Sequence, residues 1–202
     1  MVKQNQAQLA YEKIREKLVS RILEPGIRLT ERVWAESLNV NRADVRQALS
    51  RLLGEGLLKK GSKGGFFIRE FTSADMEEYN EIRLVLESAA AKFAISRATQ
   101  EDILNLMQIC EHMKLMAENG YTMGVGEADL KFHETLIKAA HNKKLELIYK
   151  SANLPLSVSV FIPREISKQE FIQDAYDHIA IVEALKNKKL SVMIELLSRG
   201  II

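Results

Sequence analysis

The chain has 202 residues, 47% hydrophobic and 28% charged, with three prolines and a formal net charge of +2, a composition that excludes a disordered, collagenous or low-complexity polypeptide. No apolar run approaches the roughly 18 residues of a spanning helix, and the opening MVKQNQAQLAYEKI holds no apolar core of about seven residues. Neither a membrane span nor a secretory signal is therefore expected, and the expected location is cytoplasmic. A single cysteine, Cys110, excludes an intrachain disulfide. Residues 1–70 hold 14 Lys and Arg against 8 Asp and Glu, whereas the remainder holds 15 against 19. A basic first part and a mildly acidic second part suit two domains with different partners.

The first predicted helix runs from Gln8 to Leu23, with Leu9, Ile14, Leu18 and Ile22 as its apolar stripe. Glu24-Pro25-Gly26 stops it, because proline cannot continue the hydrogen-bond ladder. Thr30 is the expected N-cap of a short second helix, Glu31 to Leu38, whose Val33, Trp34 and Leu38 face inward. Asn39-Val40 makes a tight turn. Asn41 then caps a third helix, Arg42 to Leu53, with Val45, Leu49 and Leu52 on its buried side. Leu57-Leu58-Lys59-Lys60 and Phe66-Phe67-Ile68-Arg69 read as two strands joined by the glycine-rich loop Gly61 to Gly65. Three short helices and a hairpin outline a winged helix-turn-helix over residues 1–71.

Residues 72–202 read as almost wholly helical, with helices over 73–98, 100–118, 125–140, 143–161, 168–187 and 189–199. Ser73 and Thr99 are expected caps with acidic residues in the following turn. Gly120 and Gly124 bracket one connection, and Pro163 breaks another. The LMQICEHM around Cys110 fits a helical core stripe. The predicted fold class is thus mainly α: a winged helix-turn-helix followed by a bundle of about six helices.

The third helix carries the basic pattern that duplex DNA requires. Residues four apart share a face, so Asn41, Arg42 and Arg46 lie on the exposed N-terminal side while Val45 and Leu49 pack behind. A recognition helix enters the major groove by its N-terminus, where arginine forks reach guanine edges. Arg42 and Arg46 are the first candidates, Gln47 a weaker one, and Arg51 suits the phosphate backbone or a merely solvated surface. Lys63 sits between glycines in the loop, and Lys59 and Lys60 add nonspecific attraction. The competing reading is an ordinary charged face paired with Glu36, Asp44 or Glu55.

Glu24-Pro25-Gly26, Ile27-Arg28-Leu29-Thr30-Glu31 and WAESLNVNRADVRQALSRLLGEGLL, with the return GGFFI, resemble the GntR family of bacterial regulators over about 60 residues. The resemblance implies DNA contacts from Arg32 or its neighbours, from Asn41, Arg42 and Arg46, and from the wing around Lys63 to Gly65. Asn41 departs from the family's usual serine or threonine, Asp44 from proline and Gln47 from glutamate. The helical part resembles the FadR-type effector domain called FCD, in Glu81-Ile82-Arg83, Leu86-Glu87-Ser88-Ala89-Ala90, Asp129-Leu130-Lys131-Phe132-His133, and His178 followed by Ile181, Ala184 and Leu185. The family implies a homodimer on double-stranded DNA at a palindromic operator, controlled by a small-molecule effector such as a carboxylate.

The spacing of Asp129 and His133 sets a carboxylate and an imidazole one turn apart on one helix face, within reach of one divalent ion. His178 is the candidate third ligand. The resembling family places a further histidine where this chain has Gly200, so water or an effector carboxylate would complete a Zn²⁺, Ni²⁺ or Mn²⁺ site. A metal-free polar pocket, and an Asp-His pair with an unrelated histidine, are the alternatives. Arg83 either pairs with an anionic effector or forms a surface salt bridge with Glu87. No HExxH and no nucleophile elbow is present, so an enzyme such as a metal-dependent hydrolase is not expected. A nonspecific, architectural DNA-binding protein is the other alternative.

Overall fold

The computed structural model describes residues 6–19, 22–152 and 167–199, in two compact units, Met1–Phe71 and Thr72–Ile202. The first unit contains α1 (Gln6–Val19), β1 (Arg28–Leu29), α2 (Glu31–Leu38), α3 (Arg42–Gly54), β2 (Leu58–Lys60) and β3 (Phe66–Ile68). Ala10, Ile14 and Leu18 of α1 share a core with Trp34, Val45, Leu49, Leu52, Phe66 and Ile68, all buried. Two expected inward residues are not there: Ile22 lies outside the helix and is 64% exposed, and Val33 is 55% exposed while Ala35 takes the inward place. In a helix of two turns a shift of one residue rotates the buried stripe by about 100°, which periodicity over so few residues does not resolve.

Asn39 closes α2 in the left-handed region, at φ 52 and ψ 48, and its N–H donates to the carbonyls of Ala35 and Glu36. Asparagine tolerates this conformation better than most side chains, and the tight turn it makes positions α3 directly after α2. Thr30 and Asn41 hold the expected N-cap positions with extended backbone, but neither side chain makes a capping hydrogen bond.

The sheet has three strands and not the expected two. The order is β1-β3-β2, all antiparallel, with Arg28 opposite Phe67 and Leu58 opposite Ile68. A two-residue strand offers no alternation to read, so β1 was invisible to pattern. Gly64 and Gly65, at φ +81 and +89, turn the chain between β2 and β3, a conformation that glycine adopts without steric cost.

The second unit is helical throughout its described residues: α4 (Ser73–Arg97), α5 (Gln100–Glu118), α6 (Thr122–Ala139), α7 (Lys143–Ser151), α8 (Lys168–Lys186) and α9 (Leu190–Arg199). The part of the expected 143–161 helix beyond Ala152, and the expected break at Pro163, lie outside the described residues. Thr72, not Ser73, is the N-cap of α4, in a reciprocal capping box with Asp75; Thr99 with Asp102 and Ser167 with Glu170 repeat the device. Each box satisfies two helix-terminal N–H groups that would otherwise lack partners. Gly124 is no connector; it lies inside α6. A Cβ there would come within 2.4 Å of the Tyr121 ring and 2.5 Å of Met116 Sδ, so the glycine admits a close approach of α5 to the start of α6.

α5 packs against both α6 and α8, while α4 packs against α6 and α9. Leu106, Cys110 and Met113 meet Phe132, Leu136, Val182, Leu185, Met193 and Leu197 in one core. Among the described residues no helix is long and apolar enough to cross a membrane. Burial pushes the Cys110 thiol up to about 12, since the apolar surroundings disfavour a thiolate. The folded protein will therefore leave Cys110 unreactive towards a thiol reagent from neutral pH to about pH 10, and stability will decline as pH rises above the ordinary thiol range towards 12. Stoichiometric labelling without denaturant would contradict this.

Candidate functional site

Two groups of side chains carry the chemistry, one in each unit. On the first unit, Arg32, Asn41, Arg42, Arg46, Gln47, Arg51 and Lys63 are all exposed, and Gly65 is half-buried. Burial of Val45, Ala48, Leu49 and Leu52 holds α3 against the core and leaves Arg42 and Arg46 on the solvent face at its first turns. Of the partners the sequence suggested, Glu55 pairs with Arg51, while Arg46 takes a different one. Arg46 makes a two-pronged pair with Glu31 at the start of α2, Nε to Oε1 and Nη2 to Oε2 at 2.8 Å each.

Arg51 is drawn towards α1: its Nε lies 3.0 Å from Glu55 Oε1, Nη1 donates to Gln8 at 2.9 Å, and the guanidinium stacks 3.6 Å above the Tyr11 ring. It therefore clamps α3 to α1 as well as presenting charge. Arg28, which no spacing in the sequence singles out, stands beside the wing: a Cβ on Gly65 would come 3.1 Å from its Nε. Only the pairing of β1 with β3 brings it there.

In the second unit Asp129 and His133 lie on α6 and His178 on α8. Asp129 Oδ1 is 3.3 Å from His133 Nε2 and 3.2 Å from His178 Nε2, and the two nitrogens are 3.4 Å apart. Ligand atoms on a tetrahedral zinc ion stand about 3.3 Å apart, so these three atoms form a triangle of the right size. Asp129 is the partly exposed member, with a side-chain exposure of 17%, and both histidines are buried.

The hydrogen bonds identify which atoms bear protons. His178 Nδ1 donates to the Asp174 carbonyl oxygen at 2.7 Å, which directs Nε2 into the triangle, as an outer partner of a metal-bound imidazole does. Burial lowers the His178 imidazolium, but the bond to Asp129 and the charges of Asp174 and Asp129 outweigh it and hold it up to about 9. Arg83 Nη2 lies 2.5 Å from His133 Nε2. Arginine has no acceptor, so this nitrogen carries the lone pair. His133 Nδ1 then faces Glu87 Oε1 at 3.0 Å, out of line for a hydrogen bond.

Arg83 and Glu87 answer a question the sequence left open. They do form the one-turn pair, Nε to Oε1 at 2.9 Å, but it is buried and adjoins His133 instead of lying on the surface. Tyr149 of α7 donates to the same Oε1 at 2.8 Å. Burial raises the Glu87 carboxyl, yet the Arg83 charge and the Tyr149 hydrogen bond bring it down to about 2. Burial and then the Glu87 charge push the Tyr149 hydroxyl up, so it remains a donor. Sequence reasoning missed Tyr149 altogether, since 62 residues separate it from Glu87. The Gly200 position lies outside the described residues.

With both sites described, the class is that of a winged-helix protein carrying a helical domain with a candidate metal-binding triad. Residues 6–68 match the family model for bacterial regulatory proteins of the gntR family, and residues 78–199 match that of the FCD domain. The chain belongs to the GntR family of transcriptional regulators, in its FadR-like group with an FCD domain. It is 30% identical over 144 residues, 71% of this chain and 64% of the other, to the uncharacterized HTH-type transcriptional regulator YdhC of Bacillus subtilis (strain 168). It is 25% identical over 196 residues, 95% of this chain and 80% of the other, to the gluconate operon transcriptional repressor of the same organism. The structure of E. coli McbR/YncC superposes with a TM-score of 0.85 at 22% identity, covering 100% of this chain and 94% of that one. The family and these relatives are regulators of transcription, not enzymes.

Removing the Tyr149 hydroxyl takes a buried donor from a charged carboxylate. Tyr149→Phe will lower the stability of the helical unit by about 1.5–3 kcal/mol in urea unfolding, whereas a change within a few tenths would show that the bond contributes nothing.

Proposed function

We propose that this regulator binds a palindromic operator as a homodimer through residues 1–71, and that residues 72–202 dimerise and sense a small carboxylate-containing metabolite through Asp129, His133, His178 and Arg83. One recognition helix spans few base pairs, so a two-fold pair of copies supplies the affinity. The N-cap Asn41 and Arg42, Arg46 and Gln47 of α3 enter the major groove, Arg32 meets the flanking backbone at the start of α2, and Lys63 and Gly65 carry the wing. Arg51 supplies backbone attraction from the far end of the helix. By analogy with the gluconate operon repressor, repression is the proposed direction of control.

The observation that carries the sensing half is the triangle of candidate ligand atoms that Asp129, His133 and His178 bring together. The cations Arg83 and His178 stand among the anions Glu87, Asp129 and Asp174. Asp129 Oδ1 and the lone pair of His133 Nε2 face each other at 3.3 Å, and two acceptors at that separation are stable only with a cation between or beside them. A divalent ion, Zn²⁺, Ni²⁺ or Mn²⁺, would be held by Asp129, His133 and His178, taking the His133 Nε2 lone pair over from Arg83 Nη2, and would supply a Lewis-acid anchor for a ligand oxygen. His178 would lose its Nε2 proton in exchange. An effector carboxylate would supply the oxygen that completes the ion's ligand set, and the Arg83 guanidinium has the planar fork that matches a carboxylate. Such a ligand would favour one arrangement of the dimer over another and so alter its fit to the operator.

DNA fragments from around the protein's own gene, tested in gel shifts at fixed salt, will contain one bound far more tightly than random sequence. Arg46→Ala will weaken that complex by about tenfold or more, the loss of one two-pronged base contact. Uniform binding to every fragment would instead mark an architectural DNA-binding protein. Elemental analysis of the purified chain will find about one transition metal per chain, removed by chelator and reduced in His178→Ala. Metal content near zero after reconstitution would eliminate the metal anchor and leave a polar pocket.

A further inference from the structure

Glu31 is a carboxylate set within the basic face. It sits at the first turn of α2, and its pair with Arg46 of α3 uses the Nε–Nη2 edge of the guanidinium. The Nη1 edge is left open, and the Arg46 side chain is 67% exposed against 25% for Glu31. The hydrogen bond from Arg46 draws the Glu31 carboxyl below the ordinary range, and the charges of Lys60 on β2 and Arg42 on α3 act in the same direction. A single anion thus lies amid cations from the helix and from the wing.

The consequence for DNA follows from what each kind of contact needs. Attraction to phosphate depends on net charge and is nearly the same on every sequence, because it comes from counterions released. A base edge is read by the direction of N–H donors. A guanidinium already paired with a carboxylate has little net charge left to exchange for counterions, yet its outer donors stay available and are held in one orientation. We propose that Glu31 is a specificity-determining residue: it cancels the charge of Arg46 towards phosphates in general while holding the free edge of its fork for the bases of the correct site.

This assignment rests on α3 being the DNA-reading helix, and the experiment separates the two. Binding of the full chain to the operator duplex and to a random duplex is measured by fluorescence anisotropy over a range of salt. In Glu31→Gln the salt slope on random DNA steepens by about 0.9 for each bound chain, which near 0.1 M salt is up to about eightfold tighter binding per chain. The ratio of operator to random affinity falls, because the gain is shared by every sequence. In an Arg46→Ala background the same substitution leaves slope and ratio unchanged. Glutamine keeps the helix and the size of the side chain, so folding is not at issue. An unaltered random-DNA slope in Glu31→Gln, or a shift of the same size without Arg46, overturns the assignment while leaving DNA reading by α3 intact. Failure of the unsubstituted chain to prefer any duplex overturns both.

Discussion

Arg83 and Glu87 stand one turn apart on α4, almost wholly out of water, and neither charge is tolerable there alone. Losing one member of such a pair strands the other in a low-dielectric interior, which costs several kcal/mol. The pair is therefore tied to its surroundings: Tyr149 of α7 reaches the carboxylate and His133 of α6 meets the guanidinium. Three helices converge on two charges, and the triangle of Asp129, His133 and His178 is built against that anchor. An apolar pair would pack as well and be at least as stable. What the ionic pair adds is a buried cation next to a ligand-sized set of acceptors, which an anion can address.

The two units manage charge in opposite ways. At the triangle of the helical unit the charges are buried and closely paired. In the winged unit they are many, exposed and in excess, and the carboxylate of Glu31 moderates the excess at one point. Surface pairs of this kind contribute little to stability, so the value of the Arg46–Glu31 pair lies in directing a donor rather than in holding the fold together.

Much of this was legible from residue order alone, wherever the interaction is local. Helices α2, α3, α4, α5, α8 and α9 begin and end within a residue of expectation, since stop signals and periodic stripes are local. Asp129 and His133 were found by their spacing, which is fixed by the helix itself. Illegible features depend on neighbours remote in sequence or on very short elements. β1 is two residues long and exists because β3 pairs with it. Ser73 reads as the cap because serine caps at least as well as threonine, and only the observed hydrogen bonds place the cap at Thr72. Glu87 reads from sequence as a surface partner of Arg83, because its burial on α4 is set by α6 and α7. Tyr149 gave no signal at all, and neither did the Glu31–Arg46 pair, whose members lie on different helices.

β1 gives the first unit a mechanical property. The residues just before α2 are hydrogen-bonded into the sheet: Ile68 N–H donates to the Ile27 carbonyl, and Gly26 N–H to that of Ile68. Glu31 and Arg32 follow within two or three residues of Leu29, and the wing loop grows from the far end of the same β3 strand. Helix start and wing tip are thus the two ends of one short stitched plate. A displacement of either end would be carried to the other through the same backbone hydrogen bonds.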